Sequence, residues 1–215
     1  MFEAIARRLM LTLARLLTGV RGVWSQPPPD SPCVYFGNHA SHADFVLIWT
    51  VLSARQRAST RPVAGADYWN KGIVRRFIGH RVVRGVLIER DAARRTIDPV
   101  AQMSAVLAAG ESLILFPEGT RNLTDELLLP FKSGLYHLAK AHPKVSFIPA
   151  WIDNLHRVLP KGEILPIPLL CTVHLGDPIK VANGEEKAQF LARARAALLA
   201  QRPAHGDDVP ANEGE

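Results

Sequence analysis

Short apolar runs alternate with helical periodicities along most of this chain, and that alternation limits the folds open to it. Strands are predicted near 33–37, 62–66, 82–88, 112–116, 145–150 and 169–174, and helices near 43–56, 68–78, 92–109, 133–142 and 185–200. This order argues for an α/β fold, a single domain with a largely parallel or mixed sheet flanked by helices. A length of 215 residues suits one domain with a substantial core. No internal repeat is visible. The run Pro27-Pro28-Pro29-Asp30-Ser31-Pro32 is a stiff, non-helical spacer. It divides the chain into an N-terminal helix over 1–26 and a main domain over 27–202. Lys161 to Pro168 reads as a proline-punctuated exposed loop, and 203–215 as a polar, acidic, disordered tail.

The amino-terminal segment, Met1 to Trp24, is rich in Leu, Ala, Ile and Val but interrupted by Glu3, Arg7, Arg8, Arg15 and Arg21. Its uncharged stretches fall well short of the roughly 20 residues of a spanning helix. It has no small-residue cleavage site, so no cleaved signal peptide is expected. On a helical wheel, Glu3, Arg7, Arg8, Arg15, Thr18 and Arg21 share a sector of about 140°, opposite Phe2, Ile5, Leu9, Leu13, Leu16, Leu17, Val20 and Trp24. Such an amphipathic helix has two uses. It can lie on an anionic membrane surface through residues 1–24, or it can pack on its own domain.

Charge points the same way. The last ten residues hold Asp207, Asp208, Glu213 and Glu215, so the rest of the chain carries a formal +10, 26 cations against 16 anions. A body this basic suits an anionic partner: nucleic acid, anionic lipid or a phosphorylated substrate. Cys33 and Cys171 sit in apolar runs and read as buried reduced thiols. The absence of CxxC, GxxxxGK[ST] and GxGxxG argues against zinc-ribbon, P-loop and dinucleotide readings.

The stretch Asn38-His39-Ala40-Ser41-His42-Ala43-Asp44 carries more chemistry. A histidine oriented by a carboxylate can take a proton from an alcohol. Positions i and i+5 on one straight helix point roughly 140° apart. His39 and Asp44 therefore meet only if His39 lies in the turn before a helix and Asp44 in its first turn. The same residues also read as a capping box, with Ser41 as N-cap and Asp44 at N3. A metal site of His39, His42 and Asp44 is a weaker third reading, since no further ligand clusters nearby.

Farther along, Ser112-Leu113-Ile114-Leu115-Phe116 is a buried-strand signal running into Pro117-Glu118-Gly119-Thr120-Arg121. Residues just past a strand's carboxyl end are where an α/β sheet meets its ligands. Gly119 permits a tight turn, and Arg121 offers a fork suited to phosphate or carboxylate. Lys132 precedes Ser133, a predicted N-cap whose helix amino terminus favours an anion. Alternatively, Glu118 and Arg121 pair with each other or with neighbours. Val83 to Arg90 reads as a strand ending in an ordinary Glu89-Arg90 pair.

Taken in order, Asn-His-x-x-x-x-Asp, a strand ending in Arg90, Phe-Pro-Glu-Gly-Thr-Arg, and Phe-Ile-Pro-Ala at 147–150 resemble the glycerolipid acyltransferase family, the 1-acylglycerol-3-phosphate acyltransferases and their relatives. The resemblance covers roughly 33–150. It implies His39 as catalytic base and Asp44 as its partner. It further implies Glu118, Gly119, Thr120 and Arg121 as the motif binding the acceptor's phosphate, and Arg90 as a second acceptor arginine, with Lys132 beside them. Two positions depart from the pattern: Arg84 stands where a glycine is usual, and Ser146 where a proline is frequent.

The function so implied is transfer of a fatty acyl group from an acyl-carrier protein or coenzyme A thioester to the free hydroxyl of a lysophospholipid, in phospholipid biosynthesis. No metal and no other cofactor is expected. Asn38 or nearby backbone amides are candidates for the oxyanion contact. The expected location is the cytoplasmic face of the membrane, peripheral or monotopic. A hydrolase would use the same His-Asp pair on water, but it leaves the phosphate motif without a task, and no GxSxG elbow is present. A non-catalytic lipid-binding protein is the other rival. Nucleic acid finds no support in the motif order.

Overall fold

A computed structural model of the protein describes residues 2–27, 29, 32–153 and 170–204. The predicted loop at 161–168 and almost all of the tail lie outside the described residues. Helix α1 spans Phe2–Thr18 and is followed by strand β1, Arg21–Trp24. Strand β2 (Cys33–Gly37) leads to α2 (Asp44–Val51) and α3 (Ala54–Ala58), then to β3 (Thr60–Gly65). Two short helices, α4 (Ala66–Trp69) and α5 (Ile73–Phe77), run into a π-helical turn at Ile78–Val82. Then come β4 (Val86–Ile88), α6 (Pro99–Ala108), β5 (Ser112–Leu115) and α7 (Gly134–Ala141). Strands β6 (Ser146–Asp153) and β7 (Thr172–Leu175) and helix α8 (Lys187–Leu199) are the last elements among the described residues.

The seven strands form one mixed sheet in the order β1-β7-β6-β2-β5-β3-β4. Among the described strands, only the β6–β7 pair is antiparallel. Alternate side chains of the central strands feed two separate cores. Tyr35, Ile114 and Ile148 pack with Leu47, Ile48 and Trp49 of α2 and Leu11 of α1. Val34, Phe36, Leu113 and Phe147 pack with Met103, Leu138 and Phe190 from α6, α7 and α8. Both faces of β2 and β5 are buried, as their largely apolar sequences require.

Several features differ from the sequence expectations, among them the predicted helix over 92–109, which begins only at Pro99. The first helix ends at Thr18, and 21–24 becomes an edge strand parallel to β7, so the segment before the prolines belongs partly to the sheet. The predicted helix over 43–56 breaks at Leu52–Ser53, where Ser53 starts α3 with a full capping box. The predicted helix over 68–78 is cut after Trp69, and Gly72 opens α5 with φ of +80°. The predicted strand at 82–88 contracts to 86–88 because the π-turn uses Val82.

Helix α1 turns over the predicted roles of its two faces. Arg7 donates from Nε to the Val82 carbonyl at 3.1 Å, and its guanidinium lies 5.6 Å from the centre of the Trp49 ring. Arg15 reaches the Thr50 carbonyl at 3.5 Å, and Glu3 pairs with Arg81 at 3.2 Å. Much of the charged face is thus applied to the domain. Phe2, Ile5, Leu9, Leu13, Leu16 and Leu17 are exposed instead.

Candidate active site

The aligned carboxyl ends of β2 and β5 bring the two main motifs together, since Phe36 pairs with Leu115 in the parallel register. His39 follows β2, and Pro117 to Arg121 follows β5. Asp44 opens α2, so the pair meets across the turn, as the i, i+5 spacing demands. His39 Nδ1 lies 2.9 Å from Asp44 Oδ2. That oxygen also accepts the backbone N–H groups of Ala40 at 2.7 Å and Ser41 at 2.9 Å. Asp44 is 1% exposed, so its carboxylate organises the whole turn from inside the protein.

Half of the predicted capping box is present. Asp44 accepts the Ser41 N–H, but the Ser41 hydroxyl accepts from Ala43 at 3.2 Å, and Ala43 occupies the cap position. Orientation of the histidine and organisation of the turn are therefore one arrangement. The carboxylate acceptor assigns the proton to Nδ1, which leaves the Nε2 lone pair as the basic site. Phe116 stacks on the imidazole with ring centres 4.4 Å apart.

Glu118 departs from its predicted role. It is 1% exposed. Its Oε1 accepts the His39 N–H at 2.8 Å and its Oε2 accepts the Leu129 N–H at 2.8 Å. A buried carboxylate committed to two amides is no ligand for a phosphate, which it would repel. Its task is to brace the histidine. Asn122 completes the brace, donating its backbone N–H to the His39 carbonyl at 2.6 Å. Asn38 is likewise committed. Its side chain donates to the Ile152 carbonyl at 3.0 Å and accepts the Ile152 N–H at 2.7 Å, extending the β2–β6 ladder. One of its two amide N–H groups and its oxygen are thus taken up by the sheet.

Cations surround the other side of the histidine. One cavity of about 270 Å³ is lined by His39, His42, Asp67, Lys71, Arg90, Thr120 and Arg121, among others. An adjoining cavity of about 520 Å³ shares His39, Gly65, Phe116 and Arg90 with it and adds Lys132 and Gly119. Gly119 turns with φ of +71°, and a Cβ there would stand 3.1 Å from the Lys132 stem. The glycine thus provides both the turn and the space for Lys132. His42 stacks on Tyr68 at 3.8 Å, away from Asp44. Its pKa is held below the ordinary 6.5, first by burial and then by Arg121, His39, Arg90 and Arg75, a sign of a strongly positive surrounding. Among the described residues, no three His, Cys, Asp or Glu side chains are grouped to hold a metal ion.

Of the predicted site residues, His39, Arg90, Thr120, Arg121, Gly119 and Lys132 line these two joined cavities, whereas Asp44 and Glu118 stand behind the histidine. Phe116, Asn122 and Asp67 were not foreseen. Phe116 reads as the last core residue of a strand, and a backbone amide such as that of Asn122 leaves no trace in a sequence.

The central strand ends of this α/β sheet deliver a His-Asp pair beside an arginine-lined cavity. Residues 21–153 match the family model described as Acyltransferase, and the chain belongs to that family. It is 30% identical over 165 residues to a 1-acyl-sn-glycerol-3-phosphate acyltransferase of Cocos nucifera, covering 74% of this chain and 49% of that protein. It is 31% identical over 148 residues to the chloroplastic 1-acyl-sn-glycerol-3-phosphate acyltransferase BAT2 of Brassica napus, covering 68% of this chain and 40% of that protein. The chain therefore spans about half or less of the length of these relatives. The fold matches the crystal structure of the 1-acyl-sn-glycerophosphate acyltransferase PlsC from Thermotoga maritima, with a TM-score of 0.68 at 19% identity, over 93% of this chain and 79% of that one.

Proposed function

We propose that this protein transfers a fatty acyl group from an acyl thioester to the free hydroxyl of 1-acylglycerol-3-phosphate at a membrane surface. The observation that carries this reading is a buried Asp44 holding His39 Nδ1 while the histidine lines cavities shared with Arg90, Arg121 and Lys132. The names of the relatives supply the acceptor. Among the described residues nothing is bonded to His39 Nε2, which is the atom to receive the proton.

In the proposed step, the acceptor hydroxyl gives its proton to Nε2 as its oxygen bonds to the thioester carbonyl carbon. The C–S bond then breaks, and the departing thiolate recovers the proton from the imidazolium. Asp44 fixes the tautomer and stabilises the imidazolium. Arg121, Arg90 and Lys132 hold the phosphate so that the hydroxyl faces the base, which contributes several kcal/mol by positioning. The chemistry calls for no metal and no covalent enzyme intermediate. The donor is an acyl-carrier protein or coenzyme A thioester.

The exposed apolar face of α1 supports attachment to the membrane, where acceptor and product reside. Among the described residues no helix is long and apolar enough to cross a membrane, so the attachment proposed is peripheral or monotopic, at the cytoplasmic face. Both cysteines are buried and free, and burial pushes Cys171 up to about 11, in keeping with thiols that stay reduced.

The test is product analysis with purified protein, radiolabelled 1-acylglycerol-3-phosphate and each donor. Donor-dependent phosphatidate supports transfer. Free fatty acid as the main product would assign the His-Asp pair to hydrolysis.

A further inference from the structure

Arg90 does not face the acceptor cavity with its fork open. Its Nε donates to Asp67 Oδ1 at 3.0 Å and its Nη2 to Asp67 Oδ2 at 2.5 Å. This is the two-pronged edge that a phosphate would use. Arg121, by contrast, has no carboxylate partner among the described residues. The two arginines of one cavity are thus in different states, one open and one occupied.

The occupied state is built into the backbone. Gly65 ends β3 opposite Ile88 of β4, and the pair closes over it. A methyl group at 65 would collide with Asp67 Oδ1 and stand 2.7 Å from Arg90 Nε. Glycine at this strand end is what lets the carboxylate and guanidinium meet there. Both side chains are 46% exposed, so the pair is held by geometry more than by burial and exchanges at small cost. Lys71 lines the same cavity and is a second cation toward which a released Asp67 can turn.

We propose that Asp67 is an internal competitor for the acceptor's phosphate, occupying the Arg90 fork until an acyl-anchored phosphate displaces it. Its role is in specificity, acting through Arg90. A free anion must break the Asp67–Arg90 pair with its own contacts alone. A lysophospholipid phosphate meets the same cost, but the contacts of its acyl chain offset it, so the acceptor still binds where a small anion does not. Asp67 thereby weakens binding of small soluble phosphates that share the acceptor's headgroup but cannot give a lipid product.

The inference rests on the acceptor reading above, and its test separates the two. Glycerol 3-phosphate, the headgroup without an acyl chain, is titrated calorimetrically into the full chain and into Asp67→Asn and Asp67→Ala. In parallel, KM and kcat are measured for 1-acylglycerol-3-phosphate. Both variants are expected to bind glycerol 3-phosphate about 3- to 10-fold more tightly, the worth of an exposed ion pair plus a removed like charge. The acceptor KM should fall with kcat within about twofold, a split that general loosening of the fold does not produce. Unchanged or weaker binding of glycerol 3-phosphate in both variants overturns the proposal and makes Asp67 an aligner of Arg90. If the wild-type chain forms no phosphatidate, the acyltransferase reading fails, while the calorimetric result still decides the role of Asp67.

Discussion

Glu118 Oε1 accepts the backbone N–H of His39 at 2.8 Å, joining the turn after β5 to the turn after β2. With Asp44 on the ring and Asn122 on the carbonyl, the histidine is fixed by three residues, two that follow β5 and one that opens α2. Conversion of Glu118 to Gln leaves one oxygen to accept an amide and turns an NH₂ toward the other. The expected result is a loss of about 1–3 kcal/mol of stability and a fall in kcat of roughly 10- to 100-fold through displacement of His39. The acceptor KM should change far less. A variant whose KM rises while kcat holds would return Glu118 to the phosphate site.

Burial is the largest influence on Glu118 and pushes its carboxyl above the ordinary 4.5, against the pull of the Leu129 and His39 amides. The folded chain therefore holds this proton more tightly than the unfolded chain. The sign follows: this group favours folding most below 4.5, and its contribution falls as pH rises through the window between 4.5 and the raised value. Urea unfolding across the weakly acidic range should show that slope in wild type and its loss in Glu118→Gln.

Arg84 adopts φ of +53°, the only non-glycine residue with positive φ among those described. It stands at the position where the resembled motif has glycine, and left-handed backbone explains that preference. Here the side chain compensates in part, pairing with Glu111 at 2.6 Å. Arg84→Ala keeps the strain and loses the pair, so it should destabilise by about 1 kcal/mol. Arg84→Gly relieves the strain and should lie within about 0.5 kcal/mol of wild type. Thermal melts of the two variants that coincide would refute this.

Arg57 closes the end of α2, donating from one nitrogen to the carbonyls of Trp49 at 3.0 Å, Thr50 at 3.1 Å and Leu52 at 2.8 Å. Arg57→Ala takes this donor from the Trp49 and Leu52 carbonyls, leaves Thr50 only the longer Arg15 contact, and removes the cation there. The expected cost is about 2–4 kcal/mol, read as a lowered urea midpoint.

Leu9 and Leu16 on α1 are 67% and 74% exposed, so replacing them should leave the fold intact. The double substitution Leu9→Asp, Leu16→Asp is expected to reduce co-sedimentation with anionic vesicles about 10-fold or more, with an unchanged melting temperature. Binding that survives would move the membrane contact elsewhere on the protein.

What was legible in the sequence was whatever depends on local pattern. The buried strands at 33–37 and 112–115 are largely apolar runs, and helix geometry fixed the one arrangement in which His39 and Asp44 could meet. Strand β1 was hidden because four residues at a sheet edge, Arg-Gly-Val-Trp, carry no alternation and continue a helical wheel. The inward turn of Arg7 and Arg15 was hidden because their acceptors, the Val82 and Thr50 carbonyls, are backbone groups distant in sequence. The contacts of Glu118 were hidden for a related reason: the His39 and Leu129 amides that it accepts are backbone groups of other segments.

The most direct measurement is the rate of phosphatidate formation by His39→Ala, compared with wild type after both are shown to be folded by thermal melting. Removal of a general base should lower kcat by about 10² to 10⁴ with little change in acceptor KM. Near wild-type turnover by a folded His39→Ala protein would contradict the assignment of His39 as the base.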